Sequence, residues 1–425
     1  MEFGASLRLD HELLAVERDH VVHCMLELTA PPVPGTVRPP LHLALVLDRS
    51  GSMAGPKLET AKACAGYLAR RLASSDQLAI VTYDDEVRLV HPLQEVGQSQ
   101  LALEHGIADI SAGGMTNLSG GWLKGLEQLR GVPGGTGPRR VLLLSDGLAN
   151  RGVADTPALV AMARSASDNG VATTTIGFGE GFDEDLLTGM ADAGVGNAYF
   201  APTHEEAPAI FAAEFEGLVS LAAQNLSVEL RPGPDVEVLA VLNDWPQVPV
   251  PGGVQVQIGD TYAEERRRVV FELQVPRLAQ LDLATVAQAV VRYVSVGAQV
   301  AAHELTLPIA VNAVSAEEAA AAGPDAEVSE EVVILKAART QDEARRLAME
   351  GDGEGAVRML RTAAEDLKRV ASGSTRAEEL EAQAQELEGF GDQMLEAPED
   401  RTLLKQIRYS AREKGQSRRR PPIDS

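Results

Sequence analysis

The chain has 425 residues and a formal net charge of −24, from 62 acidic residues against 38 Lys and Arg residues. This balance argues against general nucleic-acid binding, which depends on Lys and Arg neutralising phosphates. Because 44% of the residues are hydrophobic, the chain can form several cores, which argues against global disorder. Only 4% are aromatic, so those cores must be mainly aliphatic.

The two cysteines, Cys24 and Cys64, cannot form a disulfide framework, and no Cys/His cluster has zinc spacing. The N-terminal residues lack the basic start and apolar run of a signal peptide. No apolar stretch approaches the roughly 18 residues of a membrane-spanning helix. We therefore expect a reduced, cytoplasmic protein, and the alternative is an exported protein whose leader is missing from this sequence.

Residues 1–37 are expected to contribute strands to a domain that continues later in the chain. Residues 6–30 alternate loosely between apolar and polar side chains and predict two strands, after which the proline-rich segment 31–40 interrupts the pattern. These strands have no partners nearby in sequence. We expect them to complete the β-sandwich predicted below, and the alternative is pairing at an edge of the α/β sheet.

Residues 38–223 alternate between strand and helix patterns. The first strand, 43–47, is continuously apolar, which is typical of a parallel strand buried on both faces. Pro56 is well placed in the first turn of the helix that follows. The other predicted elements are strands 78–83 and 87–93, helices 98–110 and 117–130, strand 141–144, helix 156–169, strand 171–178, helix 183–193, strand 198–200 and helix 204–222. This alternation predicts a doubly wound α/β domain with a mostly parallel, Rossmann-like sheet.

Residues 224–314 contain short Val-rich or alternating segments separated by Pro and Gly turns. They predict a β-sandwich into which the α/β domain is inserted. The predicted strands are 226–230, 236–242, 254–258, 268–275, 287–295 and 303–308. The arginine run 266–268 is expected to be a solvated entry to one of these strands.

Residues 315–415 are rich in Ala, Glu, Arg and Leu at helical spacing and predict a C-terminal α-helical region. The predicted helices are 328–350, 354–371, 375–395 and 399–414. Residues 416–425 form a basic tail that we expect to be disordered and solvated. The alternative is that this tail docks on an acidic surface, either of a partner or of the protein itself.

Oxygen-bearing side chains follow the first buried strand, at the sheet edge where open α/β folds bind ligands. Asp48, Ser50 and Ser52 lie at i, i+2 and i+4 in a Gly-containing turn. Such hard oxygen ligands suit Mg²⁺, Mn²⁺ or Ca²⁺ better than zinc. Octahedral Mg²⁺ needs six oxygens at about 2.0–2.1 Å, so one loop cannot complete the site. Thr116 and Asp146, in two further loops at the same edge, offer additional oxygens.

This combination resembles the metal-ion-dependent adhesion site of von Willebrand factor type A (VWA) domains. Three segments carry the resemblance, which covers about 38–223: LDRSGSM at 47–53, GMTNL at 114–118 and SDGLAN at 145–150. All five site positions match, which implies an intact metal site. The inserted arrangement also resembles bacterial VWA proteins related to the inter-α-trypsin inhibitor heavy chains.

The resemblance implies that Ser50 and Ser52 ligate the metal through their hydroxyls and that Thr116 does so in the ligand-competent state. Asp48 and Asp146 would act largely through water, which leaves the cation under-neutralised. Its open position would then take an Asp or Glu carboxylate from a partner protein. The resemblance thus implies a non-enzymatic, metal-dependent protein-interaction module with Mg²⁺, and an AAA-type ATPase is a candidate partner.

Three other interpretations of these residues remain open. An isolated Asp-x-Ser-x-Ser segment more often caps a helix or forms a turn. A metal-dependent phosphatase or hydrolase could use Asp48 and Asp146, although it would need a second metal or a positioned base that the sequence does not identify. Alternatively, the protein is a scaffold that binds partners through its C-terminal helices.

Overall fold

The computed structural model describes residues 3–33, 38–133, 137–148, 151–179, 181–278, 281–296, 301–397 and 400–419. The chain divides into two compact units. The α/β unit contains Val33–Gln224 and Ser295–Ala301, and the sandwich unit contains Met1–Pro32, Asn225–Val294 and Ala302–Ser425. The α/β unit is therefore inserted along the chain between parts of the sandwich unit, which confirms the predicted fold class.

Three strands precede the α/β unit, where the sequence pattern predicts two: β1 (Gly4–Leu9), β2 (Leu13–Ala15) and β3 (His20–Thr29). The α/β unit then contains β4 (His42–Asp48), a 3₁₀ turn (Gly51–Met53), α1 (Pro56–Arg71), β5 (Gln77–Tyr83), β6 (Val87–Glu95), α2 (Val96–Ala108), α3 (Leu118–Arg130), β7 (Arg139–Ser145), α4 (Thr156–Asp168), β8 (Val171–Phe178), α5 (Glu184–Ala193), β9 (Ala198–Ala201) and α6 (Ala207–Val219).

The sheet of the α/β unit has the order β6-β5-β4-β7-β8-β9. Five strands are parallel, and β6 joins the edge antiparallel to β5. All seven residues of β4 are buried, because helices cover both faces of the sheet. Leu45 belongs to the core shared with α1, α2 and α6, whereas Val46 on the opposite face meets α3 at Gly125. The central strand β4 therefore ends in a fixed position, with Asp48 as its last residue.

The sandwich unit continues with β10 (Leu221–Pro232), β11 (Glu237–Val241), β12 (Gln247–Val250), β13 (Gly253–Tyr262), β14 (Arg266–Val275), β15 (Asp282–Ser295) and β16 (Ala301–Val314). Its sheets have the orders β1-β3-β14-β11 and β12-β13-β10-β15-β16-β2. Strand β3 pairs antiparallel with β14, and β2 pairs parallel with β16. The N-terminal strands thus complete the sandwich and do not extend the α/β sheet. The short strand β12 is absent from the sequence-based prediction.

The C-terminal helices are α7 (Ala316–Ala321), α8 (Ala326–Met349), α9 (Gly353–Ala371), α10 (Ala377–Glu396) and α11 (Arg401–Gly415). Val328 and Leu335 of α8 share a core with Met25 of β3 and Val270 of β14. The other long helices pack with α8 around a second aliphatic core. Among the described residues, no helix combines the length and apolar character needed to cross a membrane.

The predicted disorder of the basic tail is wrong for residues 416–419. A two-residue strand, β17 (Arg418–Arg419), pairs with the start of β14, and Arg418 forms an ion pair with Glu265. The prediction of a solvated arginine run is also wrong, because Arg267 and Arg268 are buried and paired with glutamates. The acidic partners, Glu265 two residues away and Glu331 on α8, neutralise these arginines and allow them to be buried. Residues 420–425 lie outside the described part of the chain.

Candidate metal site

The loop after β4 places three of the predicted site residues around one point. The Asp48 carboxylate accepts a hydrogen bond from the Ser50 backbone N–H at 2.9 Å, through Oδ1. The hydroxyls of Ser50 and Ser52 are 3.1 Å apart. A 3₁₀ turn at Gly51–Met53 shapes this loop, and its Met53 N–H donates to the Ser50 carbonyl oxygen at 3.0 Å. The i, i+2, i+4 spacing therefore brings one carboxylate and two hydroxyls together.

Strand β7, the neighbour of β4, brings Asp146 to the same point. The Ser52 hydroxyl donates to Asp146 Oδ1 at 2.7 Å. Ser145, the last residue of β7, donates through its hydroxyl to Asp48 Oδ2 at 2.9 Å. Both contacts follow from the parallel pairing of β4 and β7, which aligns the carboxyl ends of the two strands. Asp48 and Asp146 are both buried, so the protein concentrates two carboxylates in a region with little solvent.

Thr116 borders the same space. A Cβ atom built at Gly147 would lie 3.2 Å from Thr116 Oγ1 and 3.7 Å from Ser52 Oγ. Both hydroxyls therefore face a small space beside Gly147 that a larger residue would fill. The structure brings together all five predicted residues: Asp48, Ser50, Ser52 and Asp146 through a chain of contacts, and Thr116 across this space.

Two aspartates after β5 hold the loop that carries Thr116. Asp84 accepts hydrogen bonds from the Arg49 guanidinium at 2.7 Å and from the Gly114 N–H at 3.1 Å. Asp85 accepts one from the Met115 N–H at 2.8 Å. A side chain at Gly113 would overlap the Asp84 carboxylate, so glycine is required for this close approach.

The site carries more negative charge than its own cationic groups neutralise. Burial raises the pKa of Asp48 to about 6, against hydrogen bonds from Ser50 and Ser145 that lower it, and the charge of Asp146 raises it further. The Lys57 ammonium lies 2.5 Å from Asp146 Oδ2 and offsets part of this charge. Lys57 pairs with Asp146 and not with Asp48, so the pKa of Asp48 stays raised.

The donor set fits a hard divalent cation. Two carboxylates and three hydroxyls converge, and all are oxygen donors of the kind that Mg²⁺ and Mn²⁺ prefer. No group of three or more His, Cys, Asp and Glu side chains suited to a metal occurs in the described part of the chain. A cation here would therefore depend on Ser and Thr oxygens in addition to the two aspartates.

Sequence reasoning missed Lys57, Ser145 and the Asp84–Asp85 pair. A signal for the pair was present, since both residues directly follow a parallel strand whose carboxyl end lies at the same sheet edge as that of β4. A signal for Lys57 was present as well, because a cation in the first turn of a helix opposes the helix dipole and suggests another role.

A family comparison matches residues 42–213 to the von Willebrand factor type A domain. This chain carries a VWA domain. An uncharacterized protein from Synechocystis is 27% identical over 340 residues, which are 77% of this chain and 78% of that protein. A VWA structure from Catenulispora acidiphila has a TM-score of 0.70 and 19% identity, and the match covers 90% of this chain and 95% of that chain. At 19% identity, the similarity to the Catenulispora acidiphila structure shows a shared fold alone.

The resemblance to the inter-α-trypsin inhibitor heavy chains is also confirmed. Human inter-alpha-trypsin inhibitor heavy chain H3 is 28% identical over 159 residues. These residues are 36% of this chain and 18% of that much longer protein. The VWA likeness therefore extends to this group, whereas most of the human protein has no counterpart in the match.

Proposed function

We propose that the protein is a metal-dependent protein-binding module. VWA domains commonly mediate protein–protein interaction. In this one, the hydroxyls of Ser50, Ser52 and Thr116 and the carboxylates of Asp48 and Asp146 would hold Mg²⁺. When bound, the ion would supply an electrophilic position for an anionic oxygen. The partner is accordingly a protein that presents an Asp or Glu carboxylate, and an AAA-type ATPase is one candidate.

A single observation carries this proposal: five oxygen-bearing side chains from three loops border one buried space. Structural hydrogen bonding alone would not require two buried carboxylates in such proximity, because unneutralised charge is costly to bury. The raised pKa of Asp48 expresses that cost. A divalent cation would offset it.

We further propose that the site binds without catalysing a reaction. Ser145 is the serine nearest to Asp146 in sequence, and its hydroxyl donates to Asp48. Because Ser145 is fully buried, this contact supports the loop framework and keeps the hydroxyl out of reach of a substrate. Hydrolysis of a generic phosphate ester that disappeared in Asp48→Ala would contradict this assignment.

Calorimetric titration of Mg²⁺ tests the proposal. The unaltered protein is expected to give a saturable binding signal, and Asp48→Ala is expected to give none. Asp168→Ala is the matched control, because it also removes one negative charge. Asp168 is the exposed last residue of α4 and lies just before the amino end of β8, whereas the site lies at the carboxyl ends of the strands. Equal titration curves for the unaltered protein and Asp48→Ala would overturn the proposal.

A further inference from the structure

Lys57 occupies an unusual position for a cation. It is the second residue of α1, where its charge faces the positive end of the helix dipole. Its Nζ atom lies 2.5 Å from Asp146 Oδ2. The Lys57 side chain is 35% exposed, whereas that of Asp146 is fully buried. Helix stability does not explain a lysine here, and the contact with Asp146 does.

The two oxygens of Asp146 have different partners. Oδ1 accepts the Ser52 hydroxyl proton, and Oδ2 accepts from Lys57. The ammonium therefore offsets part of the negative charge that Asp146 contributes to the site. Lys57 contacts the carboxylate through Oδ2. The other oxygen, Oδ1, is linked by the Ser52 hydroxyl to the space beside Gly147.

We propose that Lys57 is a built-in counter-cation that sets the balance between metal affinity and partner affinity. This inference rests on the proposed function. By neutralising part of Asp146, Lys57 weakens the hold of the site on a divalent ion. The same effect leaves a bound ion with more uncompensated positive charge, and this charge strengthens its attraction for an incoming carboxylate.

The inference predicts opposite changes in two affinities. In Lys57→Met, the dissociation constant for Mn²⁺ is expected to fall by about tenfold, because a repelling unit charge near the ion is removed. The affinity of the Mn²⁺-loaded protein for acetate, used as the carboxylate probe, is expected to weaken by about threefold. A purely structural role for Lys57 would instead weaken metal binding, since the loops around Asp146 would lose a contact.

Mn²⁺ binding can be measured by electron paramagnetic resonance, and acetate binding by the loss of water-proton relaxation enhancement at the bound Mn²⁺. Lys57→Arg keeps the charge and is expected to retain both affinities within about twofold. Lys124→Met is the control for charge removal elsewhere in the domain, because Lys124 of α3 pairs with Glu127 and its side chain is 32% exposed, much like that of Lys57. Lys57→Gln serves as a second neutral variant should Lys57→Met fail to fold.

The outcomes separate this inference from the proposed function. If the unaltered protein and Asp48→Ala bind Mn²⁺ equally, the proposed function fails and the inference fails with it. If the unaltered protein binds Mn²⁺ specifically but the neutral Lys57 variants bind it with equal or lower affinity, the inference alone is overturned. Tighter Mn²⁺ binding without weaker acetate binding would also overturn it, because the two effects arise from the same charge.

Discussion

Two of the regions in which the chain buries carboxylates differ in how the negative charge is compensated. In the sandwich unit, burial by itself would raise the pKa of Glu265, but the charges of Arg267 and Arg418 lower it to about 2. In the α/β unit, burial raises the pKa of Asp48 to about 6, because its partners are hydroxyl and backbone groups. The comparison teaches that burial does not by itself determine the pKa of a carboxylate. The charge of its partners decides the direction.

In the sandwich unit, the buried glutamates Glu265 and Glu331 form a network of ion pairs with arginines, which neutralise their charge. Glu331, also buried, pairs with Arg268 and Arg376 and accepts a hydrogen bond from Ser417, and these contacts outweigh burial and lower its pKa. The network ties β14, α8, the start of α10 and the C-terminal residues together. We interpret it as structural. At the Asp48 site, Lys57 pairs with Asp146 and offsets only part of the negative charge, and this difference supports a role for an external cation there.

The largest change in stability is expected when one ionic partner is removed from this network of ion pairs. Glu265→Gln leaves the fully buried Arg267 without its carboxylate, so the free energy of unfolding should fall by about 3 kcal/mol. Chemical denaturation measures this change. Glu264→Gln is the matched control, since the neighbouring Glu264 is exposed and its replacement should change stability by less than about 0.5 kcal/mol. Equal effects of the two variants would show that the pairing of Glu265 does not matter.

At the Asp48 site, an added cation should stabilise the fold. Mg²⁺ at about 100 times its dissociation constant should raise the free energy of unfolding of the α/β unit by about 2.7 kcal/mol. Glu265→Gln should retain this gain, whereas the double variant Ser50→Ala/Ser52→Ala should lose it. Thermal unfolding with Mg²⁺ and with chelator provides the measurement. A gain of similar size in the double variant would place the Mg²⁺ effect elsewhere on the chain.

The third effect concerns pH. Because the pKa of Glu265 is lower in the folded protein than its ordinary value of 4.5, its ionised form stabilises the fold above about pH 4.5 and progressively less toward pH 2. Burial lowers the pKa of Arg267 to about 10 even beside Glu265, so the net stabilisation by the pair is smaller than the Glu265 shift alone indicates. The stability difference between the unaltered protein and Glu265→Gln should shrink by about 2 kcal/mol between pH 7 and pH 3. A difference that stays constant over this range would contradict the assignment.

The smallest effects are expected in the loop that carries Thr116. Asp84→Asn removes the ionic partner of the buried Arg49 and should cost about 1.5 kcal/mol of stability while weakening Mg²⁺ binding. Asp85→Asn alters a half-exposed side chain whose amide oxygen can still accept from the Met115 N–H, so it should cost less than about 0.5 kcal/mol. Denaturation and calorimetry on both variants test this order. A larger loss of stability in Asp85→Asn than in Asp84→Asn would contradict this order and show that Asp85 is the main support of the loop.

Much of the fold was predictable because its signals are local. The apolar run of β4 and the alternation of strands and helices indicate a parallel sheet wherever they occur. The N-terminal strands were assigned to the sandwich by exclusion, since they had no nearby partner, and the pairing of β3 with β14 agrees. The end of the chain was mispredicted because Arg418 resembles a solvated residue in its own segment. Its partner, Glu265, lies 153 positions earlier.

For the candidate site, the sequence by itself determined which oxygen-bearing side chains follow β4 and β7 and precede α3. A residue type and its distance from a strand end are local properties, so a motif can record them. Tertiary structure alone decided which charges surround those oxygens. Lys57 meets Asp146 and Asp84 meets Arg49 because the packing of helices and loops brings distant backbone segments within about 3 Å of each other, the range of a hydrogen bond. Charge compensation depends on that distance and not on separation along the chain, so a sequence signal such as the helix-opposing charge of Lys57 can mark the residue without identifying its partner.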